Sequence, residues 1–553
     1  MDAHAPSQRN PSRRDLLKWS GVGLAAAATA PAVVWSPARA QGPKRGGTLS
    51  LRLWDPPHFD PHLTISYKTH IVYSFTHSRL LKNKAGPGVT PGTFPIEGDL
   101  AESWTQPNEL TYVFKLRRGV RWQNRPPVNG RELTAEDVVY SVERFRTLTG
   151  NANAYMLASL DKVEAPDKYT VKFTLKEPYV WFLEMLANSH AVAIIARECV
   201  EKFGDLKKPE SAVGSGPWML ENYRPNVGYT FVRNPNYFVT GQPYIERIEV
   251  AVDEDNASRM AAFIAGKYDL GWEYQGVIAR TDWLQMKDTL KQRRPHLQTV
   301  EYPNAVMQHV SMRTDKAPFS DVRVRRAMSL AINRQAIIDA VYEGVGVLNP
   351  PVPAALKEWS VPMDQLGEGA QYYKSDPARA KKLLAEAGYP NGFSASIDWT
   401  TYGSPIVVDT AQLVVKHLKD VGIDAKLNQK EYGAYISSTF YGKFDSMGFG
   451  PQTGFQEPDN FLFGQYYPGE LKNQSHINDP VVADMLVRQR RTQDVAKRRE
   501  IIHEIQRHLA KQQYYVQLAS AIQIAVWESA LKNYGPNVSY DYGGRLQAAW
   551  LDR

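Results

Sequence analysis

Apolar and polar residues follow two different periods along most of the chain. The segments 112–116 and 169–175 place apolar residues at every second position, which predicts strands with one buried face. Other segments space their apolar residues three or four positions apart, which predicts amphipathic helices. A chain that mixes both kinds of element from residue 46 onward is expected to have an α/β architecture with large lobes.

Three helix starts carry capping signals. Thr134 is followed three residues later by Asp137, which together form a capping box, and Asn333 and the Asp376–Pro377 pair precede further apolar stripes. We expect the buried faces of these helices to consist of Val138 and Val142, of Ile337, Ile338 and Val341, and of Leu383, Leu384 and Ala387. The Pro/Gly-rich stretch 86–98 is predicted to be a surface loop.

The N-terminus has the three parts of an export signal. Arg13 and Arg14 precede the Gly/Ala-rich apolar stretch 19–34, and the small residues at 38–40 follow it as an A-x-A site. The paired arginines and the modest hydrophobicity resemble a twin-arginine signal, so residues 1–40 are predicted to be a signal peptide that is cleaved after Ala40. The new first residue would be Gln41 and not a cysteine, so we expect a periplasmic protein without a lipid anchor.

Composition excludes several function classes. The 553 residues carry a net charge of +8, and five bases and two acids of that balance lie in the first 40 residues. The remaining charge is small for the length, and no nucleic-acid-binding motif accompanies it. The chain contains one cysteine, Cys199, which excludes an intrachain disulfide and is predicted to be a small buried residue.

No catalytic constellation is found in the sequence. His503 and His508 are five positions apart, whereas a zinc site on a helix needs histidines at i and i+4. The 214–217 stretch lacks the spacing of a nucleophile elbow, and no phosphate-binding loop occurs. We therefore expect no enzymatic activity and no cofactor or metal, and a secreted hydrolase remains the alternative of another class.

Several sequence blocks together resemble the extracytoplasmic solute-binding proteins of family 5, the peptide, nickel and opine receptors of ABC importers. The blocks are GGTL (46–49), FDPHL (59–63), LAESW (100–104), LTYVFKLRRGVRWQNRPPVNGRELTAEDVVYSVERF (110–145), KVEAPDKYTVKFTLKEPYVWFLEMLA (162–187), VGSGPWML (213–220), VRNPNYF (232–238), APFSDVRVRRAMSLAINRQAII (317–338) and SDPARAKKLLAEAGYPNGF (375–393). The resemblance covers residues 46 to about 520 in the family's order.

The resemblance implies a two-lobed, hinge-closing periplasmic binding protein fold with an extra domain inserted in lobe I. Lobe I would comprise residues 41–85, 190–308 and a return with the C-terminal segment at 516–553; the inserted domain would span 86–189, and lobe II would span 309–515. The hinge would lie at 308–313 and 517–521. Such a receptor closes around its solute and presents it to a membrane permease that is driven by a cytoplasmic ATPase, without catalysis. A monomer is expected.

The charged anchors of the dipeptide-binding members are absent from the corresponding segments. The loop 447–456 contains no acid, although Glu457 or Asp459 could substitute for it, and Ser404 stands where an arginine is expected. A buried charged terminus without a partner costs several kcal/mol, so recognition by terminal charges is disfavoured.

The residues predicted to line the pocket are aromatic or polar. They are Thr64, Ser66 and Tyr67 from lobe I and Trp399, Tyr402, Ser404, Phe449, Gln452, Thr453, Phe455 and Asp459 from lobe II. His62, His70 and His77 lack metal-ligand spacing and are interpreted as ordinary surface or supporting residues. We expect an oligopeptide or peptide-like solute; an opine, a glycoside or a metal chelate remains open, and the sequence does not identify the solute.

Overall fold

The strongest local signals in the sequence form the elements that they predict. In the computed structural model, which describes residues 42–271, 280–452, 457–537 and 540–553, two of the predicted strands pair antiparallel at 111–116 and 170–175. The N–H of Thr134 donates to Asp137 Oδ2 at 2.9 Å, and the capping box opens a helix whose Val138 and Val142 are buried. Of the three residues predicted to be buried in the helix that begins after Asp376, Leu384 is buried, whereas Leu383 and Ala387 are half-exposed; Ala380 completes the buried face.

Helices and strands are mixed along the described residues. The helices are α1 Tyr67–Thr76, α2 Ala135–Thr147, α3 Phe182–Ala187, α4 Arg197–Phe203, α5 Asn256–Ile264, α6 Arg280–Arg293, α7 Val322–Ala331, α8 Arg334–Val341, α9 Pro377–Glu386, α10 Pro405–Asp420, α11 Tyr432–Ser437, α12 Asp459–Tyr466, α13 Pro480–Arg491, α14 Val495–Gln512 and α15 Tyr542–Leu546. The strands are β1 Thr48–Leu53, β2 Leu81–Asn83, β3 Ile96–Gly98, β4 Ala101–Asn108, β5 Thr111–Leu116, β6 Leu160–Asp167, β7 Thr170–Leu175, β8 Trp218–Arg224, β9 Gly228–Arg233, β10 Arg247–Val252, β11 Leu270–Gly271, β12 Leu297–Pro303, β13 Met307–Met312, β14 Gly346–Leu348, β15 Phe393–Trp399, β16 Ile423–Gln429, β17 Met447–Gln452, β18 Tyr515–Gln517, β19 Ala519–Glu528, β20 Leu531–Lys532 and β21 Trp550–Leu551.

Two mixed sheets form the centres of the fold. The first has the order β1-β10-β9-β8, with β1 parallel to β10, and buries Leu49, Leu51 and Leu53 of β1. The second has the order β16-β15-β17-β13-β18, with β15 parallel to both of its neighbours. Parallel pairs need crossover connections, and helix α10 supplies the one between β15 and β16. We refer to the regions around these sheets as the first and second lobes.

The chain passes at two neighbouring places between the second lobe and a third sheet, β11-β19-β12, whose β11 packs beside β1 of the first lobe. Residues 304–306 connect β12, which pairs with β19, to β13 of the second lobe. Leu518 alone separates β18 of the second lobe from β19, and its N–H donates to the carbonyl of Gln308 at 2.9 Å. These two crossings lie at or next to the segments 308–313 and 517–521 that the resemblance assigns to the hinge.

A further antiparallel sheet, β4-β5-β7-β6, has all four of its strands within residues 101–175. Helix α2 packs against β6 and β7. This sheet lies within the segment 86–189 that is predicted to be an inserted domain, and the limits of that domain remain a prediction. Most of the Pro/Gly-rich stretch is a loop, as predicted, but its last residues form the short strand β3.

Two carboxylates at the start of α12 are buried in ion pairs. Asp459 is fully buried, and its Oδ2 lies 2.7 Å from a guanidinium nitrogen of Arg490 on α13. Glu457 is paired with the fully buried Arg498 of α14. A buried charge is tolerated only when it is paired and hydrogen-bonded, so these two pairs connect α12 firmly to α13 and α14.

We expect Arg490→Met to lower the free energy of unfolding by about 3–5 kcal/mol, because it leaves the Asp459 carboxylate buried without its cation. The neighbouring Arg491 forms a more exposed pair with Glu177, so Arg491→Met should cost less than about 1 kcal/mol. Urea unfolding of the two variants, followed by circular dichroism, checks this. Equal losses for both variants would contradict the importance assigned to the buried pair.

Candidate functional site

The turn that precedes α1 presents a hydroxyl group to the second lobe. Thr64 Oγ1 accepts a hydrogen bond from the N–H of Ser66 at 2.9 Å, which fixes the turn. Ser66 is at the N-cap position of α1, but its side chain makes no capping bond. Its Oγ lies instead 2.9 Å from the hydroxyl of Tyr432, at the start of α11 in the second lobe.

Tyrosine rings from both lobes meet around this contact. Tyr67 stacks on Tyr540 with ring centres 5.3 Å apart, and Tyr402 packs edge-on against Tyr432 at 5.5 Å. Tyr402 has a φ of 55°, a left-handed conformation that is uncommon for a residue other than glycine. The tight turn after β15 therefore directs this ring toward the first lobe.

The rings enclose a very small space, which we call the tyrosine cavity. Its volume is about 10 Å³, and its lining residues are Ile65, Tyr67 and Tyr540 from the first lobe and Tyr402, Tyr432, Ile436, Phe440 and Pro451 from the second. This volume holds one water molecule at most. A solute can enter between the rings only if the lobes separate, which the two crossings allow.

A larger space lies beside the crossings, and we call it the hinge cavity. Its volume is about 160 Å³, and residues 304–308 and 519–524 of the two crossing segments line one side. The first lobe contributes Arg259 of α5, and the second contributes residues 403–407 at the start of α10. Gly403 has a φ of 66°, a left-handed conformation that glycine adopts readily, and the Glu254 carboxylate of the first lobe lies directly against it.

The structure brings some of the predicted site residues together and leaves others apart. Tyr67 and Tyr402 line the tyrosine cavity, Ser66 is bonded to another of its lining residues, and Ser404 lines the hinge cavity. Four further predicted residues, Thr64, Trp399, Phe449 and Gln452, are buried nearby without lining either cavity. Thr453 and Phe455 lie outside the described residues.

Asp459 already has protein partners. Its carboxylate accepts hydrogen bonds from Arg490, Gln489 and Tyr179, and it lines neither cavity. Glu457, the other acid considered as a substitute anchor, is held by Arg498. Both carboxylates stabilise the second lobe and are engaged by protein groups, so neither belongs to the candidate solute site.

The sequence missed several residues of the two cavities. Tyr432 and Tyr540 belong to segments that are remote from the predicted pocket residues in sequence. Gln523 is a lone amide in the apolar stretch 518–527, and this departure from an apolar run is a signal that could have identified it. Arg259 gave no comparable signal.

The histidines of the first lobe are not surface residues, contrary to one interpretation of the sequence. His62, His70 and His77 are buried, and burial lowers their pKa values to about 4, 3 and 3. No group of three or more metal-ligating side chains occurs in the described part of the chain. Cys199 is buried as predicted, and burial raises the pKa of its thiol to about 12, so it is not a nucleophile.

A family model matches most of the chain. Residues 95–473 match the bacterial extracellular solute-binding proteins, family 5. This chain belongs to that family. A solved structure from Helicobacter pylori, the periplasmic binding protein DppA in complex with the peptide STSA, superimposes with a TM-score of 0.80 over 92% of this chain and 99% of the other, at 24% identity. The two-lobed fold predicted from the sequence is confirmed.

Two curated relatives share the same percentage identity with this family 5 protein but are named for different solutes. Heme-binding protein A of Haemophilus influenzae is 29% identical over 73% of this chain and 74% of its own length. The dipeptide-binding protein of Escherichia coli is 29% identical over 82% of this chain and 85% of its own length. Family membership therefore establishes a substrate-binding receptor of an ABC importer, and not an enzyme, but it leaves the solute open.

The N-terminal segment matches the twin-arginine translocation signal at residues 10–30, which confirms the predicted export route to the periplasm. Cleavage after Ala40 remains a prediction, because residues 1–41 lie outside the described residues. In the described ranges, no helix has both the length and the apolar character needed to cross a membrane.

The buried histidines predict a loss of stability in acid. The pKa values of these histidines are lower in the folded protein than the ordinary value near 6.5, so protons bind to the unfolded chain more tightly than to the folded protein. The stability that this difference provides is therefore fully present only above about pH 6.5. As the pH falls from 7 to 5.5, each should reduce the free energy of unfolding by about 1 kcal/mol. Urea unfolding at both pH values measures the slope.

His70→Gln should remove about 1 kcal/mol of this pH dependence, because burial disfavours the charged imidazole of His70 and the hydrogen bond from its ring to the Thr64 carbonyl only partly offsets that cost. His62 and Arg79 lie near His70 and add to the cost of a charge there. His296 has an exposed ring, so His296→Gln is the matched control and should leave the slope unchanged. An unchanged slope in His70→Gln would contradict the assignment.

Proposed function

We propose that this receptor captures an oligopeptide or peptide-like solute between the tyrosine rings of its two lobes. Closure of the lobes then presents the solute to the permease of the ABC importer, with the receptor acting as a monomer. The ligand shifts the balance toward the closed state only as far as it binds that state more tightly than the open one.

This proposal rests on one observation: tyrosine side chains of the two lobes meet beside the two places where the chain crosses between the lobes. Tyrosine offers a flat apolar ring for stacking and a hydroxyl for hydrogen bonding, which suits peptide groups that carry both apolar and polar parts. The bond between Ser66 and Tyr432 shows that the two surfaces are complementary enough to form a direct contact.

The charges around the tyrosine cavity argue against recognition of a free amino terminus. None of the residues that line this cavity in the described part of the chain is a carboxylate. The acids whose charges act on Tyr432 already have partners in the protein: Glu254 lies 3.8 Å from the Lys68 ammonium, and Glu431 caps α11. Glu457 and Asp459 are each paired with an arginine. An ammonium group bound between the rings would lose its hydration without gaining a partner charge, which costs several kcal/mol.

We therefore expect peptides with an N-acetyl group and a C-terminal amide to bind about as tightly as the free peptides, within about threefold, since no residue that lines the tyrosine cavity in the described part of the chain carries a charge. Isothermal titration of residues 41–553 with matched di- to pentapeptides measures this. Opines, oligosaccharides and nickel–histidine serve as the other solutes. Binding of free peptides alone would contradict the proposed mode, and binding of non-peptide solutes alone would remove the peptide assignment.

Tyr432→Ala should weaken binding of those peptides by about tenfold, because it removes the ring and the hydroxyl that the second lobe presents to the first. Tyr389 packs edge-on against Phe393 elsewhere in the second lobe, so Tyr389→Ala is the control for the loss of a tyrosine. The control should bind as the wild type does. Equal binding by Tyr432→Ala and the wild type would exclude Tyr432 from the solute site.

A further inference from the structure

The hinge cavity has room for part of a solute in the closed arrangement, whereas the tyrosine cavity does not. A cavity of about 150 Å³ accommodates a molecule the size of benzene. The hinge cavity is of that size, and Pro451 lines both cavities, so the two spaces lie side by side at the boundary between the lobes. A solute that bridges the lobes can therefore extend from the tyrosine rings toward the crossings.

The hinge cavity is lined by residues that carry buried polar atoms without a partner in the described structure. The side-chain oxygens of Gln308 on β13 and Gln523 on β19 are buried and accept no hydrogen bond from any described residue. Arg259 is only 3% exposed. Its Nε also lacks a partner among the described residues, although its terminal nitrogens donate to backbone carbonyls. Leaving such a group unsatisfied costs about 1–3 kcal/mol, and most buried polar groups in proteins are bonded.

We propose that the hinge cavity is a second compartment of the solute site, which binds an uncharged group that carries both a hydrogen-bond donor and an acceptor. An amide or a hydroxyl has this chemistry: its N–H or O–H can meet a glutamine oxygen, and its oxygen can accept from Arg259 Nε or a glutamine NH₂. The inference rests on the proposed function and adds where a longer solute extends and what it must offer there.

The charges on the cavity wall favour an uncharged group. Arg280 Nε donates to Glu301 at 3.0 Å, so this cation is already paired, and the Asp282 carboxylate on the same wall acts on Arg259. The terminal nitrogens of Arg259 hold the carbonyls of Asp253 and Glu254, and one of them also reaches Asn256 Oδ1 at 3.0 Å. Most of the guanidinium is thus engaged in fixing the loop before α5, and only one N–H remains for a solute.

The position of the compartment couples its occupant to the hinge. Gln308 follows the first crossing, Gln523 follows the second, and Arg259 belongs to the first lobe. A group that bonds to all three is bound well only when the two crossing segments hold the angle seen here. Occupancy of this compartment therefore stabilises one hinge angle, which is the requirement for a ligand that closes the lobes.

The test compares how affinity grows with solute length. The probes are N-acetylated, C-amidated peptides of two to five residues, shortened from the C-terminus of the single sequence Tyr-Ala-Ala-Ala-Ala, titrated into residues 41–553. Two hydrogen bonds of about 1 kcal/mol each should give the wild type a gain of about tenfold or more along the series. In the double variant Gln308→Leu/Gln523→Leu this gain should fall below about threefold.

The stability of the double variant separates binding from a structural role. Because the side-chain oxygen of neither glutamine has a partner among the described residues, leucine of similar volume should leave the melting temperature unchanged or raise it. Gln517→Leu is the matched control: the Gln517 amide receives a bond from Tyr373 and donates one to Tyr466 at the same crossing. The control should lose stability but keep the length-dependent gain.

Each outcome decides between the two proposals. An equal length-dependent gain in the wild type and the double variant, or no gain in the wild type while the peptides still bind, would overturn the hinge compartment and leave the proposed function intact. A wild type that binds none of the peptides would overturn the proposed function and the compartment with it. A lower melting temperature of the double variant, with an unchanged gain, would show that the glutamines have a structural role only.

Discussion

The pairing of two buried carboxylates with two buried arginines is the constraint on which the second lobe depends. Asp459 and Glu457 lie shortly after β17 in the chain, and their burial in the interior is tolerated because Arg490 and Arg498 reach them from α13 and α14. The same cluster extends to the sheet of residues 101–175 and its surroundings, because Tyr179 donates to Asp459 and Asn188 donates to Asn460. The acids thus stabilise contacts between distant parts of the chain and are not left over for a ligand.

This constraint explains how much of the fold could be predicted. The helix that begins after Thr134 and the strands near residues 112 and 170 depend on neighbours within a few positions, so local pattern was sufficient for them. The pairing of Asp459 with Arg490 joins residues 31 positions apart on different helices, and the sequence offers no period that connects them. From the sequence alone, Asp459 could therefore be interpreted either as a solute ligand or as a structural residue.

The candidate site shows the same division between local and distant information. Tyr67 and Tyr402 were predicted from the family resemblance, and both line the tyrosine cavity. Tyr432 and Tyr540 complete that cavity, but they arrive from other segments, and only the closed arrangement of the lobes brings them opposite the first pair. The buried histidines beneath the Thr64 turn were misjudged for a related reason: a polar residue without a local pattern is usually exposed, and burial here follows from packing.

The two cavities have complementary consequences for closure. In the tyrosine cavity the lobes touch directly, and the bond from Ser66 to Tyr432 stabilises the closed arrangement without any solute. A solute that entered between the rings would have to replace that contact, so its net contribution there is the difference between the two sets of interactions. In the hinge cavity the side-chain oxygens of Gln308 and Gln523 accept no hydrogen bond from the described structure, so a solute can donate to them without replacing a protein contact. A solute therefore gains more from the hinge side than from the rings, and selectivity for the closed state is expected to arise where the chain crosses between the lobes.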